Sequence, residues 1–144
     1  MADTAPDADP QRAAVYAAED SVIADVGRRL RRWVEVEAFV ESVLTSERYL
    51  DSFPDGPLEV LVDRRSRGAR ASLAVPTRNL ILIRDGSWNV LTVLHELAHL
   101  LAPDDPPHGP AFVATELVLV RDHCGFAAYG ALRSAFEAHG VHFG

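Results

Sequence analysis

The stretch Leu80-Ile-Leu-Ile-Arg84-Asp-Gly-Ser-Trp88-Asn-Val-Leu-Thr-Val-Leu-His95-Glu-Leu-Ala-His99-Leu-Leu-Ala102 holds two structural periods. Leu80 to Ile83 is a short, strongly apolar run, which reads as a strand. Asp85-Gly86 is a turn signal, and Ser87 is expected to cap the next helix. From Trp88 to Ala102 the period is helical, with Val90, Leu91, Leu94, Leu97, Ala98 and Leu101 on one side. Pro103 ends the helix.

The chain on either side supplies the rest of a domain. Residues from Gln11 look helical, with Val15, Ile23, Val26 and Leu30 as an inward stripe and Gly27 as a break. A second helical segment is expected from about Val34 to Leu50, with Val36, Phe39, Val40, Val43 and Leu44 in register. Pro54-Asp55-Gly56-Pro57 is a turn. Leu58 to Val62 reads as a strand, Arg65-Ser66-Arg67-Gly68 as a hairpin connection, and Ala71 to Val75 as the returning strand, stopped by Pro76. After a stiff loop over 103–110, helices are expected at roughly 110–122, starting on Pro110, and at 126–138. The order predicts an α+β domain over 11–144: N-terminal helices, a small three-stranded sheet, the helix holding His95 and His99, and C-terminal helices. Residues 1–10, acidic and rich in Ala and Pro, read as a mobile tail rather than a signal peptide.

Composition narrows the class. The 144 residues are 48% apolar and 24% charged, which excludes wholesale disorder. No apolar run approaches the roughly 18 residues of a membrane span. A single cysteine, Cys124, precludes an internal disulfide, fits a cytoplasmic location, and reads as a small core residue. The net charge of −7, from 21 acids and 14 bases, disfavours a general nucleic-acid coat. Every base is Arg. Two clusters stand out, Arg28-Arg29 with Arg31-Arg32 and Arg64-Arg65 with Arg67 and Arg70, and both read as solvated faces, with a phosphate or nucleic-acid contact as the alternative.

The chemistry concentrates in His95-Glu96-Leu97-Ala98-His99. Four residues turn a helix by about 400°, so the two imidazoles share a face and can reach one Zn²⁺ at 2.0–2.1 Å. Glu96 is angled away from the metal and can act as general base toward a water that the zinc acidifies. A catalytic zinc needs a third protein ligand. His108 follows nine residues later in a Pro-stiffened loop. Asp105 stands six residues after His99, although the glycine that such a spacing usually requires is Ala102 here. Glu116 lies on the next helix. Imidazole is the commonest metal ligand, which places His108 first.

Two further motifs extend this reading. The run from about Asn79 to Val120, with His108-Gly109-Pro110-Ala111-Phe112 at its end, and the opening Gln11 to Asp20 resemble a family of small actinobacterial metallohydrolases. The paired H-E-x-x-H and H-G-P-x-F motifs are also similar to those of SprT-like zincin peptidases. That resemblance implies His95, His99 and His108 as zinc ligands, Glu96 as catalytic base and a minimal zincin-like fold. It implies no DNA-linked role, because a four-cysteine zinc module is absent. It also suggests Leu80 to Arg84 as an edge strand pairing with extended substrate, where an ordinary core strand is the alternative. For an oxyanion donor, Tyr129, His123, Arg121 and His142 are candidates. The expected function is a zinc-dependent hydrolase, a metallopeptidase acting on a peptide or protein substrate. The alternatives are a non-catalytic zinc-binding regulatory module and a dedicated protease of one regulatory protein.

Overall fold

A computed structural model describes residues 8–103 and 106–144. Those residues form a mixed α+β arrangement of six helices and a three-stranded sheet: α1 (Arg12–Val26), α2 (Trp33–Leu44), α3 (Glu47–Ser52), β1 (Leu61–Arg65), β2 (Leu73–Val75), β3 (Leu80–Arg84), α4 (Val90–Leu101), α5 (Pro110–Cys124) and α6 (Phe126–Ala138). No helix among them is long and apolar enough to cross a membrane.

α4 is the centre of the domain. Val90, Leu91, Val93, Leu94, Leu97 and Ala98 are all buried, and the helix contacts β2, β3, α1, α2 and α5. α6 closes the far side by packing on α1 and α5, with Leu132 and Phe136 fully buried. The expected helix at Val34–Leu50 is two helices. The chain leaves helical geometry at Ser46, whose hydroxyl accepts from the Tyr49 N–H and restarts the chain as α3. α4 begins two residues later than expected, because Asn89 rather than Ser87 is its cap, accepting from Leu91 N–H at 2.9 Å. Gly27 ends α1 against that cap. A Cβ at Gly27 would sit 2.2 Å from Asn89 Oδ1, so glycine here is a matter of close approach.

The sheet differs from the expected hairpin of β1 and β2. Its order is β1-β3-β2, with β1 parallel to β3 (Leu61 opposite Leu80) and β2 antiparallel to it (Leu73 opposite Leu82). The tight reversal comes one strand later, through Pro76–Arg78 and the left-handed Asn79 (φ 45°). β3 takes the centre because Leu80, Ile81 and Ile83 are buried, whereas β1 is largely exposed. Leu80 to Arg84 is therefore not an edge strand: both its sides are paired, and β2 is the edge that faces α4.

Candidate metal centre

α4 places His95 and His99 one turn apart, and the loop before α5 brings His108 to them. The three Nε2 atoms form a nearly equilateral triangle: 3.3 Å from His95 to His99, 3.2 Å from His99 to His108 and 3.3 Å from His108 to His95. Phe112 packs against all three rings, with centroids 4.9, 4.3 and 5.0 Å away, nearly parallel to His99. Gly109 makes the loop's tight approach possible, since a Cβ there would meet Pro106 Cγ at 2.7 Å.

Protons explain why three imidazole nitrogens converge. His95 Nδ1 lies 2.6 Å from Glu19 Oε2, and His108 Nδ1 lies 2.6 Å from Asp9 Oδ2. In the tautomer with its proton on Nδ1, each neutral ring donates to its carboxylate and keeps Nε2 as a lone pair. In that tautomer two of the three facing nitrogens are acceptors, and His99 can give a proton to only one of them. Burial and the two neighbouring imidazoles also pull the His99 pKa down to about 3. Burial pulls His108 down as well, against the opposing effect of Asp9. For His95, burial is outweighed by the Glu116 and Glu96 carboxyls, so its pKa rises. A cluster of lone pairs that its own protons cannot bridge suits a cation. A tetrahedral ion with bonds of 2.0–2.1 Å holds its ligands about 3.3–3.4 Å apart, close to the observed spacing. His95, His99 and His108 could hold a metal ion, and so could a second buried set, Glu19, His95 and Glu116.

The two sets use opposite nitrogens of His95. Glu116 lies on the Nδ1 side, fully buried and 3.5 Å from that atom, so the structure does not bring it to the three Nε2 atoms. Burial and the Glu19 charge hold the Glu116 carboxyl well above its usual range, and burial raises Glu19 to about 7. Asp105 lies outside the described residues. Glu96 is 4% exposed and lines a cavity of about 350 Å³ with His99, His108, Tyr16 and Arg70. Burial raises its carboxyl, against the pull of His95 and Arg65.

Sequence reasoning did not find Glu19, Asp9 or Tyr16. Glu19 carried a signal, a carboxylate within the inward stripe of Val15, Ala18 and Val22. Asp9 carried none, because it stands in the acidic stretch read as a tail, whose residues 1–7 lie outside the described residues. In the structure it grips His108 twice, its other oxygen accepting the His108 backbone N–H at 3.0 Å. Tyr16 stacks on His95 at 5.2 Å. The donors expected from sequence do not line this cavity: the Tyr129 hydroxyl takes Arg133, and His142 is tied through its backbone to Gln11. Comparison with known proteins adds nothing further, since no protein-family model, curated protein or solved structure matches the chain.

If Glu19 orients His95, Glu19→Gln is expected to weaken metal binding about 10–100-fold, read by chelator competition. Unchanged affinity would show that the carboxylate has no such role.

Proposed function

We propose that the chain is a zinc-dependent peptide hydrolase in which His95, His99 and His108 hold the metal and Glu96 is the general base. The carrying observation is the triangle of Nε2 atoms at tetrahedral spacing, with a carboxylate 2.6 Å behind two of the rings. Three neutral nitrogens suit zinc better than the oxygen-seeking Mg²⁺ or Ca²⁺. Zinc in such a site supplies Lewis acidity and lowers the pKa of water. The resemblance to SprT-like zincins supports the same assignment.

The rest of the reaction falls to the chain's own groups. Glu96, buried at the cavity wall, accepts a proton and passes it on. Tyr16, whose phenol burial pushes up to about 12, keeps its proton and can donate a hydrogen bond to a developing oxyanion. Phe112 and Tyr16 exclude water around the imidazoles. The edge strand β2 follows Arg70 to Ser72, which line the same cavity, so an extended main chain can lie alongside it. An open cavity beside three ligands also favours catalysis over a closed structural site.

The test is hydrolysis of a diverse peptide library by the zinc-loaded chain. Cleavage should be lost on chelation and restored by zinc, and Tyr16→Phe should lower kcat about 10²-fold. A chain that binds one zinc and cuts no peptide would be a binding module instead.

A further inference from the structure

The two arginine clusters, read from sequence as solvated faces, meet in space. The chain at Arg28–Leu30 pairs with Trp88–Val90: Leu30 N–H donates to Trp88 O at 2.8 Å, and Val90 N–H donates to Arg28 O at 2.9 Å. This brings Arg29 and Arg31 across a cavity of about 700 Å³ from Arg64 and Arg67. Arg64 is held by Asp85 at 3.0 Å and lies over the rings of Trp33 and Trp88. Among the described residues, Arg29, Arg31, Arg67 and Arg70 form no ion pair.

This cavity is continuous with the histidines. It shares Asp20, Ile23, Ser87 and Thr92 with a second cavity, which in turn shares Arg12, Tyr16, Arg70 and Glu96 with the one beside His99 and His108. One wall is a single stripe of α1: Arg12, Tyr16, Asp20 and Ile23. The floor is a stripe of α4: Thr92, His95, Glu96 and His99. At 1.5 Å per helical residue the α1 stripe is about 16 Å long, room for about five residues of extended chain at 3.3 Å each. Its arginine-rich end lies about 10 Å from the histidines, or about three extended residues.

Charge is concentrated here. Among the described residues, eight of the 14 arginines line the three cavities, against four acids, Glu19, Asp20, Asp85 and Glu96. The other six arginines share the rest of the described residues with 13 acids. Outside the three cavities acids outnumber arginines about two to one among the described residues, which opposes a long, uniformly charged polyanion such as a nucleic acid. A polypeptide with a short acidic stretch meets less of that opposition.

We propose that the cleft takes an acidic polypeptide segment in extended form, its Asp or Glu side chains bound by Arg29, Arg31 and Arg67 about three residues from the bond presented to the histidines. The inference rests on the peptidase reading for what happens at that bond, but binding can be measured without cleavage.

The test uses the full zinc-loaded chain and three fluorescent decapeptides of one length, carrying Glu, Gln or Lys at alternate positions, with a single-stranded DNA 10-mer alongside. The Glu peptide is expected to bind at least tenfold tighter than the Gln peptide, with an affinity that falls as salt rises. Arg29→Ala with Arg67→Ala should remove most of that preference, and Arg29→Glu with Arg67→Glu should turn it toward the Lys peptide. A thermal melt confirms that each variant folds. Equal binding of the Glu and Gln peptides, a preference untouched by the variants, or tighter binding of the DNA would each overturn the proposal. If the Glu peptide binds as expected but is never cut, the hydrolase reading fails and the acidic specificity stands.

Discussion

Glu96→Gln is expected to keep one zinc per chain and to lose hydrolysis by about 10²–10⁴ in kcat, the range that a positioned general base contributes. The substitution removes proton affinity and changes little else. Glu96 is buried beside His95, and it belongs to neither set of residues that could hold a metal ion. Glutamine has the same length and fills the same space, so the helix and the three imidazoles should stay in place. The measurement pairs metal analysis with turnover of a peptide first shown to be cut by the wild-type chain. Wild-type turnover in the variant would remove Glu96 from the mechanism. Loss of zinc would instead move it into the metal-holding set.

His108→Ala has the larger effect on the metal. It removes one corner of the nitrogen triangle and leaves Asp9 without the ring it holds at 2.6 Å. Zinc affinity should fall by more than the roughly 10–100-fold expected of an outer partner such as Glu19, and hydrolysis should fall with it. His108 stands in a loop and is not one of the apolar core residues, which come chiefly from the six helices and β3, so the fold should survive. Circular dichroism checks that point independently. If the purified variant keeps stoichiometric zinc, the third ligand is another residue.

Much of the path to these residues is readable in the chain itself. His95, Glu96 and His99 share a helix because apolar residues recur at helical spacing around them, and a helix fixes which side chains share a face. α6 spans 126–138, as its period predicts, between Gly125 and Gly140. Pro110 begins α5 as expected of a residue with no N–H to give. The errors have a common origin. One helix became two because a serine hydroxyl at 46 caps α3, a competition that apolar spacing does not register. Ser87 lost its expected role to Asn89 for a related reason, since several polar side chains in one turn can cap and only packing chooses among them.

Order in the sheet lay beyond local reading. The turn signal at Arg65–Gly68 is real, with Ala69 N–H donating to Ser66 O, but it does not pair the strands on either side of it. β3 is the most buried strand, and a buried strand needs a hydrogen-bonding partner for its backbone on each edge.

By itself, the sequence determined where helical segments lie, the strongly apolar strand and the shared face of His95 and His99, because periodicity and chain stops act over a few residues. Only the tertiary structure decided that β3 lies at the centre of the sheet. It also set Asp9 and Glu19 behind His108 and His95 and joined two distant arginine clusters into one cleft. Those pairings link residues tens of positions apart, where no period operates and the burial of whole elements chooses the neighbours.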